Sequence, residues 1–98
     1  TLTGINNNVV PIKTSLSQNY PNPFNPATEI GYSISKSGHV SLIVYDILGK
    51  EVSVLVNEMQ NPGNYKVRYD ASALTSGIYF YKIHSEGFSD IKRMMLIK

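Results

Sequence analysis

The residues with chemically active side chains are few and scattered. His39 and His84 fall in segments with strand periodicity, and the acids nearest them in sequence, Asp46 and Glu86, fall at turn signals. A zinc site needs three or four converging ligands, and general acid–base catalysis needs two positioned groups in one cleft. The chain has no cysteine, which excludes thiolate ligands, thiol nucleophiles and disulfides. The pattern therefore predicts no metal site, no cofactor and no enzymatic activity.

Charge and motifs exclude further classes of protein. Nine Lys and Arg against seven Asp and Glu give a net charge of +2, spread along 98 residues rather than clustered as in a nucleic-acid interface. No apolar run approaches the roughly 20 residues of a membrane span. No nucleophile elbow, phosphate loop or dinucleotide fingerprint is present. The sequence starts at Thr1 without an initiator Met or a signal peptide, so we expect a processed piece of a larger protein.

Tyrosines are the remaining candidates for binding chemistry. Tyr45, Tyr65, Tyr69, Tyr79 and Tyr81 could line a sugar-binding surface. Aromatic residues at a spacing of two on sandwich strands are more often core residues and cross-strand pairs. An accessory glycan-binding module stays open as an alternative, and its mark would be an exposed row of aromatic rings on one sheet face.

The elements that must position these residues are β-strands. Apolar residues alternate with polar ones, and turn signals recur roughly every 8–12 residues, as in a small β-sandwich. A short strand is also expected near residues 9–11, at the end of an Asn-rich linker. The other predicted strands cover residues 28–36, 39–46, 50–56, 64–70, 78–85 and 88–98.

Local patterns predict the finer geometry. The three valines of residues 50–56 alternate and should share one face. Residues 46–49, Asp-Ile-Leu-Gly, fit a type I turn followed by a glycine bulge. Residues 61–63, Asn-Pro-Gly, fit a type II turn, in which the glycine takes a positive φ.

Two segments call for more than packing. Residues 19–26, here called the proline-rich segment, carry three prolines, which exclude helix and interior strand. We expect an extended cover over an open end of the sandwich, anchored by Tyr20 and Phe24. The last segment, residues 91–98, reads as an edge strand guarded by cationic side chains. A partner could read such a strand through strand addition or carboxylate capture.

Four motifs in order resemble a known family. Residues 16–30 (LSQNYPNPFNPATEI), 44–52 (VYDILGKEV), 74–81 (LTSGIYFY) and 92–98 (KRMMLIK) are similar to the motifs of the C-terminal sorting domains, type A, of the bacterial type IX secretion system. The resemblance covers residues 16–98. It predicts an all-β, seven-stranded immunoglobulin-like β-sandwich over residues 16–98, preceded by a linker, residues 1–15, to an upstream cargo.

The resemblance also implies partners and roles. The covalently linked cargo would pass through the periplasm of a Gram-negative bacterium and be recognised by the outer-membrane translocon. A sortase-like protease at the cell surface would then remove the domain, so the cargo ends up secreted or surface-attached. An immunoglobulin-like module of a flagellar cap protein is the other structural alternative. The implied translocon-recognition residues are Lys92, Arg93, Met94, Met95, Leu96, Ile97 and Lys98. The motif residues with a mainly structural role are Asn19, Tyr20, Pro21, Asn22, Pro23, Phe24, Asn25, Pro26, Asp46, Gly49, Ser76 and Gly77.

Overall fold

The computed structural model describes residues 13–98, which form seven strands in two antiparallel sheets. The smaller sheet has the order β1-β2-β5 and the larger has the order β4-β3-β6-β7. This arrangement confirms the predicted seven-stranded β-sandwich. The strand expected near residues 9–11 lies outside the described residues. The strands are β1 (Ser15–Leu16), β2 (Ala27–Ile34), β3 (Gly38–Tyr45), β4 (Glu51–Gln60), β5 (Gly63–Asp70), β6 (Gly77–Ser85) and β7 (Phe88–Leu96).

The core lies between the two sheets and follows the alternation of the sequence. Strand β3 is an inner strand of the larger sheet, flanked by β4 and β6. Successive strand residues point to opposite faces, so every second side chain enters the core. The buried hydrophobic side chains are Leu16, Phe24, Ile30, Tyr32, Ile34, Val40, Leu42, Val44, Val56, Tyr69, Ala71, Tyr79, Tyr81, Ile83, Met94 and Leu96.

Strand β4 departs from the predicted alternation. Leu42 pairs with Val56 but the next residue, Ile43, pairs with Val54, so Leu55 is extra in the ladder, and a second shift follows two residues further along β3. An extra residue in one strand reverses the faces of the residues beyond it. As a result Val54 is 53% exposed, and the expectation that three valines share one face is wrong.

The connection from β4 to β5 also differs from its prediction. The Asn-Pro-Gly sequence carries the chain from one sheet to the other, and Gly63 already pairs with Ile34 in the smaller sheet. The φ of Gly63 is 156°, whereas a type II turn has about +80° at that position. Gly63 has the expected positive φ, but the predicted type II turn is wrong, because the chain passes to the other sheet here instead of turning back.

Candidate functional site

Strand β7 contains most of the residues that the family resemblance implicates in recognition. It lies at the edge of the larger sheet and pairs with β6. Met94 and Leu96 are buried, whereas Arg93, Met95 and Ile97 are exposed. The strand therefore offers only alternate side chains to a partner.

The C-terminal half of β7 is paired on its outer side as well. Phe24 forms a parallel bridge with Leu96. The Phe24 N–H donates to the Met95 carbonyl at 3.0 Å, and the Ile97 N–H donates to the Phe24 carbonyl at 3.0 Å. The proline-rich segment thus supplies a short strand-like partner for the end of β7.

Two side chains extend this pairing. The Asn22 Oδ1 atom accepts a hydrogen bond from the Met95 N–H at 3.0 Å, and the Gln18 Nε2 atom donates to the Arg93 carbonyl at 2.7 Å. Outward-facing backbone groups from the Arg93 carbonyl to the Ile97 N–H are therefore used within the domain. Strand addition by a partner along this stretch would have to displace the proline-rich segment.

Phe24 and Tyr20 play different parts in the proline-rich segment. Phe24 is 2% exposed and belongs to the core, as expected of an anchor. Tyr20 is 81% exposed, so the expectation that its side chain is an anchor is wrong. Its backbone carries the contact instead, because the N–H and carbonyl of Tyr20 exchange two 2.9 Å hydrogen bonds with Glu29 of β2.

Asn19 is the second buried anchor of this segment. Its Nδ2 atom donates to Thr28 Oγ1 at 3.0 Å and to the Pro21 carbonyl at 3.1 Å, and its Oδ1 atom accepts from Gln18 Nε2 at 2.7 Å. The Thr28 hydroxyl also donates to the Pro21 carbonyl, at 2.9 Å. Buried polar groups are stable only when they are hydrogen-bonded, and this amide uses both its donor and its acceptor atoms.

Tyr81 of β6 is joined through its hydroxyl to the chain that follows β1. The hydroxyl accepts a hydrogen bond from the Asn19 N–H and donates one to the Ser17 carbonyl, both at 2.7 Å. Burial raises the pKa of Tyr81 to about 12. Sequence reasoning placed this ring in the core but gave no role to its hydroxyl, since a strand period does not show where a phenol tip ends.

The remaining proline-rich residues border the segment. Pro21, Asn22, Pro23 and Asn25 are exposed, while the Pro26 carbonyl accepts a 2.9 Å hydrogen bond from the Ala71 N–H. The segment is therefore tied at its start, at Phe24 and at its end.

The turn after β3 is built around Asp46. Its Oδ1 atom accepts hydrogen bonds from the Leu48 and Lys50 N–H groups, both at 2.9 Å, and its carbonyl accepts from the Gly49 N–H at 3.0 Å. Gly49 has φ 86°, which other residues rarely adopt. These bonds describe the turn that Asp and Gly predicted at residues 46–49.

Ser76 and Gly77 hold the chain end beside the start of β6. Gly77 pairs with Leu96, and the Ser76 hydroxyl oxygen accepts a hydrogen bond from the Lys98 N–H at 2.9 Å. The Lys98 Nζ atom donates to the Ser72 carbonyl at 2.6 Å. Two family motifs that are distant in sequence thus meet here.

Candidate metal ligands do not converge within residues 13–98. No group of three or more His, Cys, Asp or Glu side chains in this part of the chain could hold a metal ion. His39 and His84 are exposed on their strands. Within the same range, no helix has the length and apolar character needed to cross a membrane.

The tyrosines do not form a row on the surface of the described sheets. Tyr69, Tyr79 and Tyr81 are buried, and Tyr45 and Tyr65 are half-buried. The Tyr65 ring stacks on Tyr32 at a centroid distance of 5.2 Å. These five tyrosines therefore do not form the exposed row expected of a glycan-binding module.

Comparison with known proteins agrees with this geometry. Four chains of known structure match this one. One is dimeric latent PorU from Porphyromonas gingivalis, with 15% identity and a TM-score of 0.64 over 95% of this chain and 10% of PorU. The chain thus spans only a tenth of PorU's length, and the likeness shows the immunoglobulin-like fold alone. No curated protein matches. The family model of the secretion system C-terminal sorting domain matches residues 18–98. The chain therefore belongs to the family of type IX secretion C-terminal sorting domains, which are signal domains rather than catalytic ones.

Proposed function

We propose that the domain acts as a sorting signal only in its folded state, because β7 and the proline-rich segment form one structure. The observation that carries this proposal is the bridge between Phe24 and Leu96, with its two 3.0 Å backbone hydrogen bonds. The first and last family motifs are about 70 residues apart in sequence, yet each completes the other's hydrogen bonding. A translocon that recognises the paired β7 and proline-rich segment would select cargo whose sorting domain has folded.

The wider route follows the family resemblance. The cargo is covalently joined upstream of the domain, in a linker of residues 1–15, and reaches the periplasm of a Gram-negative bacterium before the outer-membrane translocon receives it. A sortase-like protease then cleaves within the linker, and the cargo is released or stays at the cell surface. The match of the sorting-domain family over residues 18–98 supports this route.

The recognition residues remain those of the last strand, Lys92 to Lys98, now divided by their environment. Met94 and Leu96 are buried and act through the fold. Arg93, Met95 and Ile97 are exposed and are available for direct contact.

An export assay tests the proposal. The chain is fused to a periplasmic reporter with its own signal peptide, in a host that has a type IX system, and reporter is measured in the medium and on the cell surface. Deleting residues 95–98 removes Leu96 and both backbone partners of Phe24, so we expect the reporter to stay in the periplasm. Export of this deletion variant at the wild-type level would contradict the proposal.

A shorter deletion separates folding from contact. Removing only Ile97 and Lys98 keeps the buried Leu96 but loses the Ile97 hydrogen bond to Phe24 and the Lys98 bond to Ser76. Protease resistance of the periplasmic pool reports whether each variant is folded. We expect export to follow the folded fraction across the two deletions and the wild type.

A further inference from the structure

The outward face of the larger sheet is apolar where a sandwich strand usually carries polar residues. Strand pairing places Ile43 beside Val54, and Tyr45 beside Phe80. Val54 is 53% exposed, and Tyr45, Ile43 and Phe80 are half-buried. Contiguous exposed apolar patches on soluble domains mark interaction sites.

This patch continues onto β7. Ile91 pairs with Lys82, Met95 pairs with Ile78, and both Ile91 and Met95 are exposed. A shallow depression of about 330 Å³ is lined by residues that include Tyr45, Phe80 and Ile91. We define the apolar face as Ile43, Tyr45, Val54, Phe80, Ile91 and Met95.

The opposite surface of the sandwich has a different character. Glu29, Lys66 and Arg68 lie outward on the smaller sheet, and the Lys66 ammonium is 3.9 Å from a Glu29 carboxylate oxygen. The domain therefore has one polar side and one apolar side.

Two cations lie within the apolar face. Lys82 pairs with both Ile43 and Ile91, and Arg93 pairs with Phe80. Neither Lys82 nor Arg93 is within 4.0 Å of a carboxylate in the described part of the chain. A partner surface complementary to this face therefore presents carboxylates among apolar side chains.

The apolar face also carries the side chains of β7 that stay accessible to a partner. From Arg93 to Ile97 its outer backbone edge is used by Gln18 and the proline-rich segment, and Met94 and Leu96 point into the core. Arg93 and Met95 project from the outward face, next to residues of β6.

We infer that the apolar face, with Lys82 and Arg93, is the docking surface for a protein partner that presents carboxylates around an apolar centre. This inference rests on the proposed sorting function, and the partner is the component of the export machinery that receives the folded domain. Recognition then covers side chains from four strands, and a linear peptide of the last strand lacks most of them.

Matched charge reversals on the two sides of the sandwich test the inference. Arg93→Glu alters the apolar face and Arg68→Glu alters the polar side, and both arginines are exposed strand residues. In the reporter fusion we expect Arg93→Glu to lower export at least tenfold, with folded reporter accumulating in the periplasm. We expect Arg68→Glu to export within twofold of the wild type.

A second variant covers the case in which Arg93→Glu is unstable. Ile91→Gln keeps the side-chain size at a position that is 54% exposed and leaves charge unchanged. We expect at least a threefold loss of export with an unchanged urea unfolding midpoint. If the Ile91→Gln and Arg93→Glu variants are both folded and both exported at the wild-type level, the docking surface is overturned. It is also overturned if Arg68→Glu loses as much export as Arg93→Glu. Failure of the unmodified fusion to be exported instead overturns the sorting function itself.

Discussion

Replacing Tyr81 by Phe removes one oxygen atom that joins the proline-rich side of the domain to the larger sheet. The ring is 0% exposed, and its hydroxyl both accepts from the Asn19 N–H and donates to the Ser17 carbonyl at 2.7 Å. Asn19 is itself buried, so its N–H loses its partner without access to water, at a cost of about 1–3 kcal/mol. Ser17 is exposed, so water replaces part of the second bond and its loss costs about 0.5–1.5 kcal/mol.

The sum predicts a decrease of roughly 1.5–4.5 kcal/mol in the free energy of unfolding. Domains of this class have total stabilities of about 5–15 kcal/mol, so the change is large. Tyr→Phe substitutions at Tyr79 and Tyr20 are matched controls. The Tyr79 hydroxyl makes one hydrogen bond, to the Thr75 carbonyl at 2.8 Å, and Tyr20 is 81% exposed. We expect a loss of about 1 kcal/mol for Tyr79 and a change below about 0.5 kcal/mol for Tyr20.

Urea unfolding at pH 7, followed by far-ultraviolet circular dichroism, measures all three variants on residues 13–98. The predicted order of destabilisation is Tyr81, then Tyr79, then Tyr20. If Tyr81→Phe is as stable as Tyr20→Phe, the hydroxyl does not hold the segment in place and the reasoning is refuted.

Three further predictions concern stability. Burial raises the pKa of Tyr81 to about 12, so as the pH rises the Tyr81 hydroxyl loses its proton first in the unfolded chain. The contribution of this hydroxyl to stability is therefore present below pH 10 and is lost between pH 10 and 12. In urea titrations over that range, the stability of the Tyr81→Phe variant should decline less than that of the wild type. Asp46→Ala removes the acceptor of two backbone N–H groups and should cost about 1–2 kcal/mol, whereas Leu48→Ser, at a 90% exposed position of the same turn, should cost little. Phe24→Ala should cost about 3–5 kcal/mol by thermal unfolding, and a loss under 1 kcal/mol would show that the segment is not anchored by this ring.

The burial of alternate side chains could be predicted from the sequence where one face of a strand is buried and the strand pairing is regular. Ile30, Tyr32 and Ile34 stand at every second position of the predicted strand 28–36 and are all buried. The turn at Asp46 was also predictable, because its hydrogen bonds join residues at most four positions apart in sequence.

Features that depend on the partner strand were not readable. Val54 faces outward because β4 has an extra residue relative to β3, and a ladder shift leaves no mark in the period of one strand. Gly63 departs from type II geometry because the next strand belongs to the other sheet, although Asn-Pro-Gly alone favours a tight turn.

The candidate site shows the same division. The family motifs identified the proline-rich segment and the last strand, but not that they bond to each other. Tyr20 and Phe24 look alike as aromatic neighbours of proline, yet only Phe24 is buried, since Tyr20 is held through its backbone. The bonds from Gln18 to Arg93 and from Asn19 to Tyr81 join residues 75 and 62 positions apart, and no local pattern encodes them.

Export of the reporter fusion, measured together with the folded state of its periplasmic pool, tests the central claim most directly. The account predicts that the unmodified chain carries the reporter to the cell surface or the medium, and that deletion of residues 95–98 abolishes export and leaves the domain sensitive to protease. Efficient export of a protease-sensitive deletion variant would contradict the claim that the folded junction of β7 and the proline-rich segment is the sorting signal.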